Sequence, residues 1–180
     1  SQDLLVTATS NNHSLIADPD VTYTSADATG SLSFAPEADQ SGSATITVTV
    51  EDGGLDNDLD TSDDNETSSQ SFTVTVNPVN DIPTLNGLSD STIDEDALAT
   101  TINLSGIAAG GGENQALRVT ASSDNSGLIG DPAVSYSSGN ATGSISVTPE
   151  ADQSGSATIT VTVEDGGLDN DLGTSDDNET

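Results

Sequence analysis

The groups in this chain that could do chemistry are almost all oxygens, and they come in runs. The densest is Glu51-Asp52-Gly53-Gly54-Leu55-Asp56-Asn57-Asp58-Leu59-Asp60-Thr61-Ser62-Asp63-Asp64-Asn65-Glu66, which recurs as Glu164–Glu179 with Gly173 in place of Asp60. Asp94-Glu95-Asp96 forms a second cluster, and Pro36-Glu37-Ala38-Asp39, repeated as Pro149-Glu150-Ala151-Asp152, a third. A fourth is the segment Asn77-Pro78-Val79-Asn80-Asp81. Clustered carboxylates repel one another unless a cation intervenes. The chain has no Cys and a single His, His13, so the sulfur and imidazole ligands of zinc and softer metals are missing. Carboxylate, amide, hydroxyl and backbone oxygens are hard-cation ligands, and calcium is the natural candidate. Taken singly, each cluster also reads as a solvated turn.

Catalysis finds little support. His13 is replaced by Ser126 in the second copy of the repeat described below, so no Ser–His–acid arrangement is common to both copies. Paired carboxylates suit glycoside hydrolysis, but aromatic residues are only 2% of the chain, which leaves no sugar platform. The net charge is −30, with Arg118 the only Lys or Arg. Such a surface repels phosphate backbones and anionic membranes, so nucleic-acid binding is not expected. No run is long and apolar enough to insert in a bilayer.

The elements that must position these acids follow from a long repeat. Val6–Thr67 returns as Val119–Thr180 without insertion or deletion, a period of 113 residues (119 − 6). Pro36–Leu59 recurs unchanged as Pro149–Leu172. That period is too long for a solenoid unit and suits one domain. The expected organisation is the C-terminal part of one repeat over residues 1–77, a Pro-punctuated linker over 78–83, and a second repeat over 84–180 without its last strand. The repeat is cut out of phase, so the natural protein is expected to continue in both directions as a tandem array.

Low hydrophobicity with high charge is also a signature of disorder, but the apolar residues are not scattered. Ala44-Thr45-Ile46-Thr47-Val48-Thr49-Val50 and Phe72-Thr73-Val74-Thr75-Val76 alternate strictly, as a strand with one buried and one wet face should. Thr suits the wet face of a pleated strand. Strands are expected at Ser91–Asp94, Ala99–Leu104, Leu117–Ala121, Ala133–Ser137, Gly143–Thr148 and Ala157–Val163, with a seventh type at Ser71–Val76. Turns rich in Gly, Ser, Asn and Asp separate them. No helical period of useful length occurs. The fold class expected is all-β: tandem seven-stranded antiparallel Greek-key β-sandwiches of about 113 residues per repeat. The core expected comprises Leu4, Val6, Ala8, Val21, Tyr23, Leu32, Phe34, Ile46, Val48, Val50, Phe72, Val74, Val76 and their repeat counterparts. With few aromatics that core is modest, which favours metal support.

Asp56, Asp58 and Asp60 are spaced like the opening of an EF-hand loop, without its Gly and Glu at the required positions. A wider resemblance covers the whole repeat. Thr148-Pro149-Glu150-Ala151-Asp152, followed by an alternating strand ending in Val163-Glu164-Asp165-Gly166, resembles the cadherin-like and immunoglobulin-like extender repeats of very large bacterial surface proteins, including adhesins of the RTX type. The junction Asn77–Pro83 is similar to the cadherin calcium linker, with Asn77 where that linker opens with Asp. The resemblance places Asn80, Asp81, Glu95, Asp52 and Asp165 on ligand positions, and Glu37, Asp39, Glu150 and Asp152 on a third motif. It implies calcium bound between consecutive repeats. One junction would use Glu37, Asp39, Asn80, Asp81 and Asp165, the next would use Glu95, Glu150 and Asp152, and Asp52 would serve the preceding one.

The function expected is a non-catalytic, calcium-stabilised extender of a long extracellular or cell-surface adhesin, with neighbouring repeats of the same chain as its partners. Two alternatives stay open. One is a self-assembling building block of an extracellular filament or biofilm matrix, with homophilic or lateral contacts. The other is an accessory domain of a secreted carbohydrate-active enzyme.

Overall fold

In a computed structural model, which describes residues 2–60, 64–175 and 177–180, the chain is all-β and every strand pair is antiparallel. It divides into two compact units, Ser1–Pro78 and Val79–Thr180. Unit 1 contains β1 (Leu4–Ser10), β2 (Asp20–Thr22), β3 (Ser31–Ser33), β4 (Gly42–Asp52) and β5 (Thr67–Val76). Unit 2 contains β6 (Thr100–Ser105), β7 (Leu117–Ser123), β8 (Ala133–Ser135), β9 (Thr142–Val147) and β10 (Ile159–Asp165).

In unit 1 one sheet runs β1-β4-β5 and the other is the β2-β3 pair. The Thr/Val alternation sets the registers: Ala8 faces Val48, Ile46 faces Phe72 and Ala44 faces Val74. Apolar partners share one side of the ladder, while Thr47–Ser71 and Thr49–Ser69 hydroxyl pairs, 3.0 and 2.8 Å apart, line the other. The core gathers Ala8, Leu15, Ile16, Ala44 and Ile46, with Val21, Leu32, Val48, Val74 and Val76 against it. Leu15 and Ile16 were not in the expected core. They belong to a turn closed by Leu15 and Ile16 N–H bonds to the Asn12 carbonyl, which drops both side chains between the sheets.

In unit 2 one sheet is the β7-β10 pair and the other runs β6-β9-β8. Leu104, Ile107, Ala109, Leu117, Val119, Ile145, Val147 and Val163 form its core. Repeat counterparts differ in burial for a topological reason. Val147, beside β6, is buried, whereas its counterpart Phe34 is 41% exposed, because among the described residues β3 pairs only with β2. Phe34 instead meets Phe72 at a centroid distance of 6.3 Å, and Phe72 too stays 42% exposed.

One expected strand does not form. Ser91–Asp94 is irregular. It carries a single apolar residue, Ile93, which packs on the unit 2 core, and one anchor does not require a ladder. Across the long acidic run β4 and β5 pair as an antiparallel hairpin.

Candidate functional site

The acidic loops are built structures, and the two units build them alike. Asp52 closes β4 and Asp165 closes β10. Asp52 Oδ1 accepts from the N–H of Gly54 at 3.0 Å and of Glu66 at 3.2 Å. Asp165 Oδ1 accepts from the N–H of Gly167 at 2.9 Å and of Glu179 at 3.1 Å. Each aspartate therefore ties the two ends of its loop together. A few residues on, the N–H of Leu55 donates to Asp64 Oδ2 and that of Leu168 to Asp177 Oδ2, at 2.7 and 2.8 Å. Gly54 and Gly167 have φ of +60° and +57°, and a Cβ on either would run into the Asp64 or Asp177 carboxylate. The repeated glycine is what allows the carboxylate to fold back over the turn.

Between those anchors Asp56 and Asp58, like Asp169 and Asp171, accept the N–H two residues ahead at 2.8 to 3.1 Å. These Asx turns account for the alternating aspartates as turn chemistry. Asp63 and Asp176 of the two runs lie outside the described residues.

In unit 2 the segment that opens the unit covers the loop. Asn80 Nδ2 donates to Asp165 Oδ1 at 3.1 Å and to the Asp177 carbonyl at 2.9 Å. Gln115 Nε2 donates to Asn80 Oδ1 at 2.6 Å and to Glu113 Oε2 at 3.0 Å. Glu113 Oε2 also accepts from the Asp81 N–H at 3.3 Å. The result is a fully buried carboxylate, Asp165, 0% exposed. Three buried oxygens joined through Asn80, namely Asp165 Oδ2, Asp177 Oδ1 and Gln115 Oε1, receive no hydrogen bond. All three are acceptors. An excess of buried acceptors needs donors from water or a cation, and the set fits a hard cation because every free atom is oxygen.

Among the described residues, no three His, Asp or Glu side chains are arranged to hold a metal ion.

Of the residues singled out from the sequence, Asn80 and Asp165 are in direct contact, and Asp81 reaches the same network through Glu113. Asp52 holds the equivalent position in unit 1 but is only partly buried, with Gln2 bonded to the Gly54 carbonyl at 2.6 Å. Glu95, Glu150 and Asp152 lie toward the other end of unit 2. Glu95 borders a cleft with Pro149 and Gln153, Asp152 N–H bonds Asp96 Oδ1 at 3.0 Å, and Glu150 N–H bonds the Leu128 carbonyl at 2.8 Å. β10, whose seven residues end at Asp165, is itself about 20 Å long at ~3.3 Å per residue, and Asp152 precedes its start. In unit 1 the Glu37 N–H bonds the Leu15 carbonyl at 2.8 Å, and Asp39 takes a left-handed turn at φ +56°, as Asp152 does at +57°.

Sequence reasoning missed Glu113, Gln115 and Asp177 as partners of Asn80 and Asp165. The available signal was the repeat, because Gln115 returns Gln2, and Gly167 with Asp177 returns Gly54 with Asp64. Arg118 meets Glu164 across the β7–β10 ladder, its Nε 3.0 Å from Oε2. Comparison with known proteins finds no matching family model, no matching curated protein and no matching solved structure.

Proposed function

We propose that this chain is a calcium-stabilised extender: a non-catalytic structural repeat of a long extracellular or cell-surface adhesin. The observation that carries the reading is Asp165, a fully buried carboxylate with one oxygen that receives no hydrogen bond, in a chain of net charge −30. In this reading Asp165, Asp177 and Gln115 supply oxygen ligands to one calcium ion, while Asn80 and Glu113 hold them in place. A bound divalent cation would supply charge neutralisation and cross-link the loop at Asp165–Glu179 to the segment that opens the unit. Each repeat is read as a seven-stranded Greek-key sandwich, of which the five strands of unit 2 and β5 of unit 1 account for six.

Calcium that binds only the folded state stabilises it by about 2.7 kcal/mol at a concentration 100-fold above Kd. Extracellular modules of this kind bind at roughly 10⁻⁴–10⁻³ M, so the module would be firm outside a cell and looser inside one. The experiment is thermal unfolding in millimolar calcium and in chelator, for the natural chain and for Asp165→Asn. The expected result is a calcium-dependent rise in Tm that Asp165→Asn abolishes, with the variant at least as stable as the natural chain in chelator because it buries no charge. A Tm that does not respond to calcium would overturn the metal reading.

A further inference from the structure

Five Asn-x-Ser/Thr triplets occur in the chain, beginning at Asn12, Asn65, Asn103, Asn140 and Asn178. Such a triplet is an acceptor for N-linked sugars where its amide nitrogen is free and its segment lies in a surface loop. The fold commits four of the five to structure. Asn12 is half-buried, and its Nδ2 donates to the Ser43 carbonyl in β4 at 3.3 Å. Its counterpart Asn125, which starts no such triplet, makes the same bond to the Ser156 carbonyl at 3.2 Å, so the contact belongs to the repeat. Asn65 Nδ2 donates to Glu51 Oε1 at 3.2 Å, and Asn178 Nδ2 to the Thr174 carbonyl at 2.6 Å. Asn103 lies within the β6–β9 ladder opposite Ser144. The hydroxyl of its triplet, Ser105 Oγ, accepts from Asn86 Nδ2 at 3.2 Å.

Asn140 is different. It lies between β8 and β9 in a turn closed by its own N–H on the Ser137 carbonyl at 3.2 Å, with Gly139 at φ +87°. Asn140, Ala141 and Thr142 are all exposed, and the Asn140 carboxamide has no hydrogen-bond partner among the described residues. Charge sets this turn apart as well. Pro132–Val147 holds no Asp, Glu, Lys or Arg, whereas the matching Pro19–Phe34 holds Asp20 and Asp27. Asp27 is the counterpart of Asn140, and its N–H closes the same turn on the Thr24 carbonyl at 3.0 Å.

We infer that Asn140 is an N-glycosylation site, at which Nδ2 takes a sugar from a phosphate-activated glycosyl donor. The amide nitrogen forms a bond to the anomeric carbon of the donor sugar. The bond from that carbon to the donor's phosphate oxygen breaks, and the phosphate leaves with the electron pair. One amide proton passes to a base of the transferase. A donor of this class is anionic, and an uncharged turn receives it where the rest of an acidic surface repels it. A surface turn can be drawn into a transferase at little cost, whereas Asn103 would first have to leave a ladder. The consequence is a hydrophilic glycan on one repeat and none at the same turn of its neighbour, since Asp27 has no amide nitrogen to accept it. The inference rests on the cell-surface reading for the encounter with a glycosyltransferase, and it is independent of calcium.

The test presents the whole folded chain to two transferases that need only the Asn-x-Ser/Thr triplet. One is an oligosaccharyltransferase with a lipid-linked pyrophosphate oligosaccharide, the other an N-glucosyltransferase with a nucleotide-activated glucose. Peptide mapping by mass spectrometry locates the added sugar, and synthetic peptides spanning each triplet serve as unfolded acceptors. A mass gain on Asn140 is expected, with the other four asparagines modified about tenfold or more slowly in the folded chain than in their peptides. Asn140→Gln should remove the gain, and Asp27→Asn should add a second modified position in unit 1. Success with one transferase or the other tells a lipid-linked donor from a soluble nucleotide sugar. Equal modification of all five asparagines in the folded chain, or Asn140 left unmodified by both enzymes, would overturn the inference. A Tm that ignores calcium while Asn140 still accepts the sugar would overturn the metal reading alone.

Discussion

At the scale of single residues, the repeat acts as an internal control on what each side chain does. Ala26 sits at φ +74° where the second copy has Gly139 at +87°. A side chain in that region costs about 1–2 kcal/mol, part of which glycine returns through its freer unfolded chain. Ala26→Gly is therefore expected to stabilise unit 1 by about 0.5–1 kcal/mol, measured by urea denaturation. Asp18 gives a pH-dependent counterpart. The Ser10 N–H, 2.7 Å from its Oδ1, and the His13 side chain, at 2.9 Å, hold its carboxyl below the ordinary value of 3.8. A carboxylate whose pKa is lowered by folding adds stability that is fully present above 3.8 and is lost as pH falls through the lowered value. The stability gap between the natural chain and Asp18→Asn should accordingly shrink as pH drops from neutral to below 3.8. A gap that widened on acidification would contradict that assignment. Asp131 repeats the contact, accepting from the Ser123 N–H at 2.9 Å without a histidine.

Strands and loops show how much context decides. Ile46 is fully buried between β1 and β5, and truncation there leaves a cavity, so Ile46→Ala should cost about 2–5 kcal/mol. Ile159→Ala removes the same atoms in the same local sequence but from a half-buried site, and its cost should fall below that range. Guanidinium titrations of the two variants, following each unit with a probe of its own, would make the comparison. Equal costs would mean that β5 contributes nothing to the burial of its neighbour. The acidic loop is the other case. Its aspartates looked like a ligand row, and several of them serve as Asx-turn acceptors that shape the backbone. Buried side-chain oxygens without a hydrogen bond include those of Asp165, Asp177 and Gln115, the last far from the other two in sequence, beside those of Asn65 and Asn178 within the runs.

At the scale of the whole molecule, the extender reading predicts a shape response. Small-angle scattering from the chain should show an extended monomer in calcium and a broader distribution of dimensions in chelator. Profiles that superimpose would argue against calcium as a stiffener, and calcium-driven growth in mass would favour the filament alternative. The sequence by itself determined what is periodic. Thr/Val alternation fixed the strands and their wet faces, the 113-residue repeat fixed the chain's internal correspondence, and the absence of sulfur ligands is what made a hard cation the expectation. Those properties are local or compositional, so one dimension carries them. Only the tertiary structure decided that Asn80, Gln115, Asp165 and Asp177 meet, because contacts across 85 or 97 residues leave no local signal. It also decided that one copy of Gly-Ser-Ala-Thr-Ile becomes strand while the other stays open. Identical residues fold differently there because a strand forms only where another edge is present to pair with it.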